Sequence, residues 1–162
     1  MSSFNEIGGL PVTANPFVLR TILRDEWDWP GPVLSDYGAV RELIPHGLAA
    51  DLREAACLSI HAGLDIEMIS TAYHDHLAEL VYARAVPVEL VDEAVRRVLR
   101  LKFRLGLFDR PYTDESLAET LVLRPDFCEL ALQVAQESMV LLKTTVTSCP
   151  CRRRSVLPSS AR

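Results

Sequence analysis

The sequence lacks a basic surplus, a long apolar run and a cysteine framework, and each absence removes a class of function. Lysine and arginine number 17 against 22 aspartates and glutamates, a formal charge of −5. Both signs are interspersed along the helical segments, so the footprint of a nucleic-acid binder is missing. No apolar stretch reaches the roughly 18 residues a membrane span needs. The opening MSSFNEIGGL has neither the basic nor the apolar region of a signal peptide. The expectation is a soluble chain with no nucleic-acid and no membrane partner, its compartment left open. Of the four cysteines, Cys57 and Cys128 lie in apolar helical patterns and are expected as buried thiols. Cys149-Pro150-Cys151 is a C-x-C pair without a second ligand pair, too little for a metal site. His74 and His76 lie two apart on an expected helix, point to different faces and read as solvated. No metal and no cofactor is expected, and no internal repeat is visible.

What is present is ordinary globular usage, 49% hydrophobic and 24% charged. Asn15-Pro16 is a cap followed by proline at the first helical position, predicting a helix from about Pro16 to Trp27. Gly31 to Asp36 reads as a short strand, followed by a helical turn over Ala39 to Ile44 and a helix from about Ala50 to Ala62 closed by Gly63. Residues 64–68, LDIEM, form a second strand, and Ser70 is expected to cap a helix through about Arg84. Pro87 opens the strongest helix, with Val91, Val95, Val98, Leu101 and Leu105 on a face that must pack, and Gly106 ends it. LFDRPYTDES is expected as a loop, and Arg124 to Lys143 as a last helix with Leu130, Val134, Ser138 and Leu141 on one face. With a further strand at MSSFN, the order predicts βα units around a parallel sheet. Reactive groups in such folds gather at strand C-termini. Asp36 stands at one, either as a cap for AVRELI or as a reacting carboxylate.

Several stretches, in this order, carry a resemblance: FNEIGGLPVTAN, LRDEWDWPGPVLSDYGAV, HGLAADLREAA, AGLDIEM, VDEAVRRVLRLKFRLGLFDRPY and ESMVLLK. Together they resemble glycoside hydrolase family 3, in its bacterial β-glucosidase branch. The resemblance implies an α/β fold: the last βα units of a (β/α)8 TIM-type barrel, plus a C-terminal linker helix. Residues 1–112 would be the C-terminal portion of the barrel domain, and 113–143 a linker and helix leading to a second domain. It also implies a retaining glycosidase acting on a β-glucoside or oligosaccharide, with Asp36 of the S-D-W/Y/H motif as nucleophile. Tyr37 would be a stacking platform on the aglycone side. Phe4 falls where many members carry a tyrosine, keeping an apolar wall without the hydroxyl. Asp65 and Glu67 are left as structural.

In the family the general acid comes from the second domain, and further sugar-holding groups come from barrel segments ahead of the residues matched here. The chain is therefore expected to be inactive and unstable alone, with a separate N-terminal barrel half as its implied partner. The other readings are a non-catalytic α/β module, half of a split glycosidase, or an unrelated barrel hydrolase using Asp36 as a base. The last nineteen residues hold four arginines and no acid. Read as degenerate codons shifted by one base after Lys143, they permit Asn-Asp-Gly-Asn-Leu-Leu-Pro-Leu and, at the end, Val-Val-Gly-Pro. Both resemble what the family carries after E-S-x-V-L-L-K. Residues 144–162 are thus expected to be a disordered, frameshifted tail.

Overall fold

A computed structural model describes residues 1–140 and 142; the expected frameshifted tail lies outside the described residues. The chain divides after Tyr112 into two compact units. In the first, the chain does not open with a strand. Gly8 and Gly9, both at positive φ (64° and 80°), fold it back so that β1 (Glu6–Ile7) pairs antiparallel with β2 (Leu10–Pro11). Residues 1–5, expected as a strand, carry none; Ser2 N–H donates to Leu34 O at 2.8 Å. A turn of 3-10 helix at Val12–Ala14 leads into a helix at Phe17–Glu26, wound at π pitch. Asn15 caps it as the sequence predicts, its Oδ1 accepting from Phe17 N and Val18 N.

The central pair is β3 (Leu34–Tyr37) and β4 (Ile66–Met68), which run parallel as the βα pattern predicts. Gly38, at φ 70°, turns the chain from β3 into α1 (Ala39–Glu42). The crossover continues through α2 (Leu52–Ala62), which Asp51 caps by accepting from Glu54 N at 2.8 Å. The Glu54 carboxylate reaches back to Ala50 N, and Gly63, at φ 102°, ends the helix. Ser70 does not cap α3 (Ala72–Tyr82): it is buried and its hydroxyl has no partner among the described residues, while Glu67 Oε2 accepts from Ala72 N. The Tyr73 hydroxyl donates to Leu64 O at 2.9 Å, joining α3 to the entrance of β4.

Val33, Val40, Leu43, Ile60, Leu64 and Leu80 form the centre of the core, all nearly or wholly inaccessible. Each such side chain contributes on the order of 1.5–3 kcal/mol on burial. The last helix of this unit, α4 (Val88–Arg104), follows Pro87 as predicted but does not bury the expected face. Ala94 is buried, whereas Val95, Leu101 and Leu105 are exposed. Val91 packs against the core, and α4 borders Ile60, Tyr73 and Leu77 on one side and Trp29 and Pro32 on another. Cys57 is half-buried.

The second unit holds α5 (Ser116–Leu121), which begins inside the stretch expected to be a loop, and α6 (Pro125–Glu137). The Arg124 guanidinium stacks over the Phe127 ring at 3.8 Å. Leu130 and Val134 are exposed, and so is Cys128, against the expectation of a buried thiol: no other side chains cover this helix face among the described residues.

Candidate active site

β3 and β4 enter from a locked base and end at an open mouth. At the base, Asp65 is the fixture. Its Oδ2 accepts from Val33 N and from Arg24 Nη2, both at 2.7 Å, and its Oδ1 from Arg97 Nη1 at 2.8 Å. The carboxylate side chain is 1% exposed. Arg24 also donates to the carbonyls of Trp29 and Gly31. Burial lowers the Arg24 pKa from its ordinary value, and Arg97 nearby adds to this, while Asp65 opposes it. One buried carboxylate thus ties together the helix at 17–26, the start of β3, the start of β4 and α4.

At the mouth, Asp36 is partly exposed at the C-terminal end of β3. Its Oδ1 accepts from Tyr37 N at 2.7 Å, and among the described residues Oδ2 takes no protein hydrogen bond. The carboxylate does not cap α1, whose first turn receives no side-chain cap. Tyr37 is 63% exposed, so its ring is not core packing. Phe4 is also exposed, on the segment that Ser2 ties to Leu34.

The loop leaving β4 is strained. Ile69 and Thr71 sit at φ 71° and 60° without being glycine, and a β-branched residue there is a backbone outlier. Gly38 N–H donates to Met68 O at 3.0 Å, which places this loop directly beside the end of β3. Glu67, on β4, has its carboxyl pKa raised chiefly by burial, with the Tyr73 and Ala72 amides pulling the other way. Sequence reasoning left Glu67 as structural and did not single out Ser35, a fully buried hydroxyl beside Asp36. The signal available was a serine at an inward position of an otherwise apolar strand. His74 is exposed and His76 half-buried on α3. Among the described residues, no three His, Cys, Asp or Glu side chains gather as a metal site, and no helix is long and apolar enough to cross a membrane.

Residues 1–101 match the family described as glycosyl hydrolase family 3 N terminal domain. The chain is 34% identical to a periplasmic β-glucosidase of Salmonella typhimurium over 97% of its own length and 21% of that protein's. It is 31% identical to an exo-1,4-β-xylosidase of Aspergillus niger, over 99% of its length and 21% of that protein's. Its fold superposes on the crystal structure of a β-glucosidase from Listeria innocua with a TM-score of 0.79 at 38% identity, covering 92% of this chain and 21% of the other. That enzyme has also been solved with glucose, and a mutant of it with laminaribiose. The chain spans about a fifth of the length of these relatives. An α/β chain with this match over most of its length belongs to glycoside hydrolase family 3.

Proposed function

We propose that the chain supplies the nucleophile of a retaining β-glucosidase, and that the nucleophile is Asp36. The observation that carries this reading is the state of its carboxylate: one oxygen fixed by the Tyr37 amide, the other without a protein hydrogen bond, at the C-terminal end of a parallel strand. In a retaining hydrolysis Oδ2 forms a bond to the anomeric carbon as the glycosidic C–O bond breaks. A carboxylic acid about 5–5.5 Å away protonates the departing oxygen. Water then displaces the carboxylate, giving up its proton to the same acid group, now a base. The amide on Oδ1 fixes the carboxylate plane before sugar arrives, which reduces the reorganisation needed at attack.

The exposed Tyr37 ring would stack on the aglycone side and Phe4 would give the sugar an apolar wall. β3 and β4, joined through α1 and α2, would be neighbouring strands of a (β/α)8 barrel that further sequence completes. Residues 1–112 would belong to that barrel, and 113–143 would lead to a second domain holding the acid. The substrate would be a terminal β-linked glucosyl residue, supported by the relatives that are β-glucosidases and by the glucose and laminaribiose complexes of one of them.

Without the acid, the 162-residue chain should lose roughly 10²- to 10⁴-fold in rate on ordinary glucosides, before the missing sugar contacts are counted. A leaving-group series tests this. The isolated chain should release dinitrophenol slowly from its β-glucoside, in an Asp36-dependent manner, and leave alkyl β-glucosides intact. Brisk hydrolysis of alkyl glucosides, abolished by Asp36→Asn, would require an acid within these residues and defeat the reading.

A further inference from the structure

The pairing of β3 with β4 is irregular at one place, and that place is the site. Leu34 pairs with Ile66 and Tyr37 with Met68, so three steps along β3 are matched to two along β4. One extra residue therefore bulges from β3 between Leu34 and Tyr37. A bulge leaves part of the ladder unpaired and re-aims a side chain. Here the Met68 amide donates to the Ser35 hydroxyl at 2.8 Å, and the same hydroxyl donates to the carbonyl of Asp36 at 2.9 Å. Ser35 is wholly buried, so water cannot replace it. The next regular bond, Gly38 N–H to Met68 O, resumes beyond the bulge.

We propose that Ser35 is a positioning residue for Asp36: its hydroxyl bridges Met68 N–H and Asp36 C=O, holds the bulge in β3, and thereby sets the direction of the Asp36 carboxylate. The inference rests on the reading of Asp36 as the reacting carboxylate. One hydroxyl does what a backbone carbonyl and amide do in a regular ladder, leaving the peptide of Asp36 free to turn its side chain toward the mouth. Alanine removes both bonds and lets the strand relax toward even pairing, which would swing Asp36 away. Threonine keeps the oxygen.

The test compares the whole chain with Ser35→Ala and Ser35→Thr by NMR. Two readouts are followed: exchange of the Met68 amide, and the response of the Tyr37 amide as Asp36 is titrated. The parent chain should show a protected Met68 amide and a Tyr37 amide that follows the Asp36 carboxyl. Ser35→Ala should speed Met68 exchange about tenfold, the loss of one buried hydrogen bond, and uncouple Tyr37 from Asp36. Ser35→Thr should restore both. The proposal is overturned if Ser35→Ala behaves as the parent, or if Ser35→Thr fails as fully as alanine, which would make volume rather than the hydroxyl decisive. Failure of the functional reading would look different, with the bridge intact but Asp36 unreactive toward an activated glucoside.

Discussion

Asp65 and Asp36 lie on neighbouring strands, one at the base of β4 and the other at the mouth of β3, and their surroundings are opposites. Asp65 takes two guanidinium groups and a backbone amide and is sealed from water. Asp36 takes one amide, and among the described residues its other oxygen has no protein hydrogen bond. Three hydrogen bonds, shared between both oxygens of Asp65, hold separate elements together, which makes that carboxylate a structural fixture. A nucleophile needs the reverse: enough support to fix its direction and one oxygen left over. The comparison shows how two aspartates 29 residues apart, both near strand ends, are suited to different tasks.

Breaking the fixture should have the largest effect. Asp65→Ala leaves Arg24 and Arg97 without their shared carboxylate in a buried setting and should cost about 3–5 kcal/mol. Denaturant unfolding would read this as a lower midpoint, or as a chain already unfolded in buffer. Between the arginines, Arg24→Ala should cost more than Arg97→Ala. Arg24 also serves the Trp29 and Gly31 carbonyls, whereas the second partner of Arg97 is the half-exposed Glu93 on its own helix. The same unfolding series ranks them, and the reverse order would mean that α4, rather than the loop into β3, is the main beneficiary of the cluster.

Glu67 sharpens the comparison from between the two aspartates. Its folded-state pKa is raised by burial, so the native chain binds a proton there more readily than the unfolded chain. Its contribution to stability is therefore fully present below the unfolded glutamate value and is lost as pH rises through the folded one. Glu67→Gln, which retains an acceptor for the Ala72 amide, should flatten the fall in stability across that window. An unchanged pH profile would show that Glu67 carries no linked proton. The smallest effect on stability belongs to Asp36. Asp36→Ala removes one exposed bond to the Tyr37 amide and should shift stability by no more than about 0.5 kcal/mol, while removing all reaction with activated glucosides.

The sequence announced features that depend on near neighbours. Asn15-Pro16 opens a helix, Gly63 and Gly106 end helices, and β3 and β4 stand where short β-forming runs are bounded by Gly and Pro. The Gly8-Gly9 hairpin and the Asp51–Glu54 cap were also local, and their signals were there to be used. What composition and spacing could not announce depends on distant partners. Arg24 and Arg97 reach Asp65 across 41 and 32 positions of chain, and no periodicity encodes that meeting. The bulge at Ser35 is likewise a property of two strands together. The face of α4 that was expected to pack leaves Val95, Leu101 and Leu105 exposed, and Cys128 on α6 is exposed rather than buried, because burial depends on what lies opposite.

The central claim is that Asp36 is the carboxylate that takes up the sugar, and covalent trapping tests it most directly. A 2-deoxy-2-fluoro-β-glucoside with a dinitrophenyl leaving group needs no acid to react and leaves a slowly hydrolysed ester on the nucleophile. Mass spectrometry of the digested chain should find one fluoroglucosyl group, on the peptide containing Asp36, and none in Asp36→Ala. A label on any other residue, an equal label in Asp36→Ala, or no label at saturating reagent would contradict the account.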